Sequence, residues 1–332
     1  MSRVDVVVPC YNYGRFLTQC VESILIQEGV NVQVLIINDA SCDDTATIAH
    51  SLSMRDSRVR VYNHAVNRGN ISTYNEGISY IDGEFFLLLS ADDWLVPGAL
   101  SRAVKIMKQH PDVVLTHGRA LVANSEDPVP TLSCEDGSVS CEVLPGCAFI
   151  ERSCLNAASP LICTPTAVVR ASTQRAVGGY SARLTHAGDL EMWLRFACHG
   201  SMAKLDAYQA VYRKHDKNMH SLYEGITNLR QHALAFESAF EKERDKIVDY
   251  RRLTRTYSRS LAYRGARMAV SALKHGDVRM WREYGEFVVN ICRRSSVPST
   301  RALRWKREWR DGCLNGACED GIDNICGGHE KK

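Results

Sequence analysis

The stretch FFLLLSADDW, residues 85–94, decides how this chain is read. Phe85 to Leu89 form an unbroken apolar run, the pattern of a strand buried on both faces. The run then ends on Asp92 and Asp93. A buried strand has no structural need for acids at its end. Adjacent carboxylates repel each other, so the pair is stabilised by a partner: water, a basic side chain or a divalent cation.

Similar runs lie on either side. VDVVVP (4–9), VQVLIIN (32–38), VRVYN (59–63) and VVLTHG (113–118) read as further strands. Between the first two, Phe16, Leu17, Cys20, Val21, Ile24 and Leu25 recur at helical spacing within 15–28. Helices are also predicted over 42–54, 71–81 and 97–110. The first opens on Asp43 and Asp44, which suit the positive end of the helix dipole. The last opens on Pro97, whose missing N–H costs nothing in a first turn. Apolar strands alternating with helices imply a parallel sheet covered on both faces. Such sheets bind ligands beyond the carboxyl ends of their strands. Tyr11, Asn12, Asp39, Asp92 and Asp93 fall at or just past those ends, so one crevice is expected to gather them.

Residues 120–165 lack clear periodicity and read as a long irregular connection. Segments 166–170 and 207–213 look like strands flanking a helix over about 189–199. Helical patterns then fill 223–248, 250–275 and 277–293. The organisation expected is a sheet domain over 1–221, a helical region over 222–295 and a basic helix with a frayed tail over 296–332.

The 332 residues carry a net charge of +3, with 45% hydrophobic and 24% charged residues, ordinary for a globular chain. No apolar stretch approaches the roughly 18 residues of a membrane span, and MSRVDVVVPCYN lacks the apolar core of a signal peptide. A cytoplasmic location is expected. Of the 13 cysteines, Cys20, Cys163 and Cys198 sit in apolar contexts and read as buried free thiols. Cys313, Cys318 and Cys326 lack the paired C-x2-C units of a zinc site and read as part of a polar, Gly-rich terminus. Residues 251–310 hold 16 basic and 4 acidic residues, a patch suited to an anionic surface.

Taken in order, VVVPCYNYGRFLTQCVESILIQ, VLIINDASCDDT, NRGNISTYNEGI, SADDWLVPGAL, TPTAVVRAS, AGDLEMWLR and VYRKHDKNMHS resemble the inverting family 2 glycosyltransferases. The likeness covers roughly residues 3–221, and each motif is weak by itself. It implies the GT-A fold: an α/β, Rossmann-like, mainly parallel sheet with helices on both faces. The C-terminal helices lie outside it. Residues up to about 120 would form the donor half and 121–221 the acceptor half.

The resemblance also implies a nucleotide-diphosphate sugar donor, UDP-linked in the first instance, and Mn2+ or Mg2+ as cofactor. Tyr11 would stack on the base, with Pro9 and Asn12 shaping its pocket. Asp39 would accept the pyrimidine N3–H, a role suited to a carboxylate. Asn67 and Arg68 would contact the donor, with Gly69 allowing the turn between them and the next helix. Ala91 and Asp92 would line the donor, and Asp92, Asp93 and His215 would form the metal site, with Asp92 as the direct ligand. Arg213 and Lys217 would add phosphate contacts. Asp189 would be the general base, with Glu191 as the less favoured alternative. The acceptor implied is a glycan or a lipid-linked sugar.

Three departures from the family pattern stand out. Ser90 replaces the first acid of the D-x-D-D motif, and Thr73-Tyr74-Asn75 replaces the usual Ala-Arg-Asn. His220 precedes Ser221 in the closing segment. The first two leave open a degenerate, non-catalytic donor-binding module. A sugar nucleotidyltransferase is disfavoured, because PCYNYGRF lacks a Gly-rich triphosphate loop. Nucleic-acid binding is disfavoured too, since no such motif accompanies the basic C-terminal half. RALRWKREWR (301–310) reads as a basic amphipathic helix suited to an anionic membrane.

Overall fold

A computed structural model describes residues 1–124, 139–216, 218 and 225–294. The strands are β1 (Arg3–Cys10), β2 (Asn31–Asn38), β3 (Val59–Asn63), β4 (Phe85–Leu88), β5 (Trp94–Leu95), β6 (Val113–Asn124), β7 (Cys141–Leu144), β8 (Val168–Arg170) and β9 (Ser201–Lys214). They form one sheet in the order β3-β2-β1-β4-β8-β6-β9-β5, with β7 pairing β9. The helices are α1 (Gly14–Leu25), α2 (Thr45–Arg55), α3 (Asn70–Ser79), α4 (Ala99–Gln109), α5 (Gly146–Leu155), α6 (Ala171–Val177), α7 (Gly188–Ala197), α8 (Ile226–Lys242), α9 (Tyr250–Lys274) and α10 (Val278–Arg294).

The parallel half is built from the apolar runs. Val6 lies between Val34 of β2 and Leu87 of β4 in the hydrogen-bonded register. Alternate residues of a strand point to opposite faces. Val4, Val6 and Val8 accordingly share a core with Leu17, Val21 and Ile24 of α1 and with Leu100, Ala103 and Met107 of α4. Val7 points the other way, toward α3. A Cβ on Gly77 of α3 would lie 2.3 Å from Val7 Cγ1, so glycine lets the helix sit close to the strand. Burying each such Val, Leu or Ile contributes about 1.5–3 kcal/mol, which is why two-sided strands tolerate no polar alternation.

Beyond β4 the sheet becomes mixed. β8 runs antiparallel to β4 and β6, and β9 is parallel to β6 but antiparallel to β5 and β7. The connection expected to be irregular over 120–165 therefore holds the end of β6, β7 and α5 among its described residues. β7 is only four residues long, and the buried face of α5 (Gly146, Phe149, Ile150, Ser153 and Cys154) is diluted by Gly and Ser, so neither stands out as an apolar pattern. β9 is twice the length expected, running back to Ser201.

Two helix starts also differ from expectation. α2 begins at Thr45, after both acids. Asp43 instead caps two helices at once: its Oδ1 accepts the Thr45 N–H at 3.1 Å and its Oδ2 the Gly14 N–H at 3.0 Å. Burial opposes ionisation of Asp43, but these bonds outweigh it and hold the carboxyl below its ordinary range. α4 begins at Ala99, and Gly98 caps it in a left-handed conformation, so Pro97 stands outside the helix.

The described chain divides into two units after Leu261. In the first, Phe236 of α8 stacks on Tyr257 of α9 at 4.7 Å between ring centroids. Cys10, Cys20 and Cys154 are buried free thiols, whereas Cys163 and Cys198 are only half-buried. No helix among the described residues is long and apolar enough to cross a membrane. The 301–310 segment, the tail cysteines, Lys217, His220 and Ser221 lie outside the described residues.

Candidate active site

Each parallel strand ends in a loop that carries polar groups. After β1, Asn12 takes a left-handed conformation (φ 58°), which asparagine tolerates better than most residues. Its N–H donates to Ser41 Oγ at 2.9 Å, and its Oδ1 accepts the Cys42 N–H at 2.8 Å. The loops after β1 and β2 are thereby tied together. Tyr11 beside it is 46% exposed, leaving a ring face open to solvent. Pro9 is half-buried at the end of β1. Asn38 accepts the Ser41 N–H at 3.1 Å and donates to Asn63 at 2.9 Å.

Asp39 follows β2 and is buried. Its Oδ1 accepts the Arg68 N–H at 2.8 Å and lies 2.6 Å from His64 Nδ1. Its Oδ2 accepts the Gly69 N–H at 2.9 Å, and its carbonyl accepts from Asn67 Nδ2 at 3.2 Å. The carboxylate thus organises the Asn67–Gly69 turn, which glycine makes possible at φ 81°. Burial disfavours its charge, yet the two N–H bonds and His64 prevail and hold its carboxyl below the usual range. His64 also faces Glu76 Oε2 at 2.9 Å, and the half-exposed Arg68 guanidinium meets the same oxygen at 3.1 Å.

The acidic pair forms a tight turn after β4, closed by the Asp93 N–H donating to the Ser90 carbonyl at 3.0 Å. Ala91 is fully buried in it. The two acids diverge. Asp93 turns to β9, where its Oδ1 accepts the Arg213 N–H at 2.9 Å. Burial and then the Asp92 charge push the Asp93 carboxyl well above the ordinary value. Asp92 Oδ2 accepts from His215 Nε2 at 3.0 Å and from Asn218 Nδ2 at 3.3 Å. Its other oxygen, Oδ1, is buried without a hydrogen-bond partner.

Aromatic packing fixes this arrangement. The His215 ring stacks on Phe16 at 5.2 Å and meets the edge of Tyr13 at 5.4 Å. Arg213 was expected near a phosphate, but it is buried behind the turn. Its guanidinium lies between Phe16 and Trp94, 4.5 and 4.4 Å from the ring centroids. Burial in that sandwich lowers the guanidinium's hold on its proton, against the opposing charges of Asp92 and Asp93, and the side chain serves the turn from inside.

An unpartnered buried carboxylate oxygen is a hard donor of the kind that Mg2+ and Mn2+ take. The described residues contain no cluster of three His, Cys, Asp or Glu side chains around one point. An ion held by Asp92 would therefore complete its shell from water and a bound diphosphate, as such cations commonly do.

Asp189 lies in the first turn of α7 and keeps partial exposure. Its Oδ2 accepts from Thr164 Oγ1 and its Oδ1 from the Tyr180 hydroxyl, both at 2.9 Å. Desolvation raises its carboxyl above the ordinary value, although both hydroxyls pull it down. The Tyr74 phenol is raised by burial and then by the charges of Asp189 and Asp92, so it lies within electrostatic reach of both acids. Asn75, next to it, pairs with the backbone of Tyr180: Oδ1 accepts its N–H at 2.6 Å and Nδ2 donates to its carbonyl at 3.0 Å. Glu191 is fully buried among Ser238, Lys242 and Arg195, at 2.9, 2.8 and 3.4 Å. A carboxylate so enclosed has no access to an acceptor.

The model of the Glycosyl transferase family 2 matches residues 5–172, about half of the chain. This chain belongs to that family. Among curated members, the glycosyltransferase GlyG of Streptococcus pneumoniae is 38% identical over 90 residues, 27% of this chain and 30% of the relative. The putative glycosyltransferase EpsH of Bacillus subtilis is 30% identical over 112 residues, 34% of this chain and 32% of the relative. The chain thus spans about a third of the length of these family members.

Solved structures share the fold at low identity. S. aureus TarS 1–349, in complex with UDP-GlcNAc, superposes with a TM-score of 0.55 at 16% identity, over 86% of this chain and 90% of that one. The mannosyltransferase PcManGT of Pyrobaculum calidifontis, in complex with GDP-Man and Mn2+, gives 0.53 at 14%, over 94% and 86%. The architecture is that of the GT-A family members.

Sequence reasoning passed over the roles of four residues that the structure brings into the site. His64 follows β3 in the spacing H-x-x-N-x-G, a polar residue just past a strand end like the others. Thr164 stands in the quoted TPTAVVRAS motif and Tyr180 in none, and the link of both to Asp189 is made through the fold. Asn218 stands in the quoted VYRKHDKNMHS motif, and only the structure shows that it grips Asp92.

Proposed function

We propose that this chain is a metal-assisted, inverting glycosyltransferase that moves a sugar from a nucleotide-diphosphate donor, UDP-linked, to a hydroxyl of a glycan or lipid-linked acceptor. Its product belongs to a polysaccharide or cell-surface glycan. The observation that carries this reading is the buried, unpartnered Oδ1 of Asp92 at the carboxyl edge of the parallel strands.

On this reading the donor base lies against the exposed ring of Tyr11, between the tied loops of Asn12 and Asp39, with Asn67 and Arg68 closing one side. Asp92 holds a divalent cation, with His215 and Asn218 fixing the carboxylate through its other oxygen. When bound, the cation neutralises charge that builds on the leaving diphosphate. Asp93 braces the turn through β9.

Asp189 accepts the proton of the acceptor hydroxyl as that oxygen attacks C1 of the sugar. The C1–oxygen bond to the diphosphate breaks on the opposite side, so configuration inverts. The raised proton affinity of Asp189 makes it a better base than an exposed aspartate. Thr164 and Tyr180 hold the carboxylate in one orientation. Peripheral contact with an anionic membrane is supported by Arg251, Arg255 and Arg259, exposed along one side of α9.

The test is calorimetric titration of UDP with and without Mn2+, followed by release of UDP from UDP-sugars in the presence of acceptor. Metal-dependent binding that Asp92→Ala abolishes, with turnover that Asp189→Asn abolishes, is the expected result. A folded protein that binds no UDP with Mn2+ present would sink the reading. Binding without turnover for any donor would leave a donor-binding module.

A further inference from the structure

His64 sits between two carboxylates at the edge of the proposed base pocket, with only 3% of its side chain exposed. Its effect is best seen by counting what Asp39 has left to give. A carboxylate offers about four acceptor positions, two per oxygen. Oδ1 of Asp39 already takes the Arg68 N–H and His64 Nδ1. Oδ2 takes the Gly69 N–H alone. One acceptor position remains, and it is on Oδ2. The Asp39 side chain keeps 5% exposure at the carboxyl end of β2.

Nucleobases differ in what they ask of such a carboxylate. The Watson–Crick edge of uracil or thymine offers a single N–H. Guanine offers two side by side, N1–H and N2–H, and a carboxylate receives them best with one position open on each oxygen. Cytosine presents no ring N–H at that edge, and adenine presents its ring nitrogen as an acceptor. A carboxylate reduced to one open position is matched to one imide N–H.

We propose that His64 is a specificity-determining residue: by occupying Oδ1 of Asp39 it leaves one acceptor, and so selects a uracil-type nucleoside diphosphate over a guanine one. The inference deepens the proposed function and rests on its placement of the base at Asp39. Arg68 and Gly69 cannot impose the selection alone, because their N–H groups engage one position on each oxygen and leave one open on each. Glu76 serves as the backstop for His64, holding the ring through Nε2.

The experiment is titration of UDP and of GDP, each with Mn2+, into the full chain and its His64 variants. Asn reproduces the position of an imidazole Nδ1–H, and Gln that of Nε2–H. His64→Asn retains the donor to Asp39 and loses Glu76; His64→Gln does the reverse. Both are close in size to the histidine, so folding is preserved more readily than in an alanine variant.

The wild-type chain is expected to bind UDP at least about tenfold more tightly than GDP, the worth of about one hydrogen bond. His64→Gln is expected to lower that ratio about tenfold, and His64→Asn to keep it within about threefold. A merely structural role would weaken both nucleotides together. If Gln and Asn variants share the wild-type ratio, the inference is overturned while the proposed function stands. If the wild-type chain binds neither nucleotide, both fall.

Discussion

Arg213 grips Asp92 from behind: its Nε donates to the Asp92 carbonyl at 3.0 Å while Phe16 and Trp94 cover the two faces of its guanidinium. A second arm, Nη2, reaches Gln19 of α1. The acidic turn, the first helix and β9 are therefore joined through one planar cation. A planar fork can stack and donate sideways at once, which an ammonium cannot.

Replacing Arg213 by Met would leave the Asp92 carbonyl and Gln19 without their donor, and two buried acids without a neighbouring charge. Losing one partner of a buried charged network costs about 3 kcal/mol. For a unit of this size that corresponds to a fall of about 6–12 °C in thermal midpoint. Arg213→Lys is expected to recover less than half of it. A midpoint within about 2 °C of wild type, read by calorimetry, would show that the sandwich is dispensable.

Asp92→Asn keeps the shape of the turn and removes one of two adjacent charges. Relieving that repulsion is expected to stabilise the metal-free protein by about 1 kcal/mol. The same variant is expected to lose at least about tenfold in Mn2+-dependent UDP affinity, since the free Oδ1 becomes a weaker ligand. Gain of stability with loss of binding marks a site kept for function. If affinity survives the change, another residue holds the ion.

The pH dependence of turnover should report Asp189. Its carboxyl is raised in the folded protein by burial, so activity is expected to fall on the acid side at a pH above that of an ordinary aspartate. Thr164 and Tyr180 both pull the value down. Thr164→Val and Tyr180→Phe are therefore each expected to move the acidic limb of kcat/KM to higher pH. Stability follows the same sign. A raised folded value contributes stability that is full below the unfolded value and is lost as pH rises through the folded one. Asp189→Asn should flatten that loss in denaturation measured between mildly acid and neutral pH.

Glu191 provides the contrast. It joins α7 to α8 through Ser238 and Lys242, with Arg195 on the same helix. Glu191→Gln is expected to cost about 2–3 kcal/mol in urea denaturation, because Lys242 loses its counter-charge and Arg195 is left with Glu243 alone. The acidic limb of the rate profile should stay where it is. A shifted limb in this variant would move the base from Asp189 to Glu191.

The parallel half was legible because β1, β2 and β4 are buried on both sides, and local composition alone records that. The polar residues that follow these strands could be placed in one crevice for the same reason. β7 and α5 were not legible, since their stability comes from β9 and α7, which lie far along the chain. Arg213 shows the limit most plainly. An arginine beside a His-x-x-Asn motif reads as a phosphate ligand, and only the tertiary fold reveals Phe16 and Trp94 on either side of it. Asp93 is similar: adjacency to Asp92 implies a shared ion, whereas the turn points it at a backbone N–H of β9.

α3 has a further consequence. Its first turn grows out of Gly69, whose N–H is held by Asp39, and six residues on its Asn75 is paired to the Tyr180 backbone. Tyr180 in turn holds Asp189. One short helix thus works as a rigid gauge block between the end of the site that would read the base and the end that would draw the proton. Shift the turn at Gly69, and the tyrosine that aims the carboxylate shifts with it.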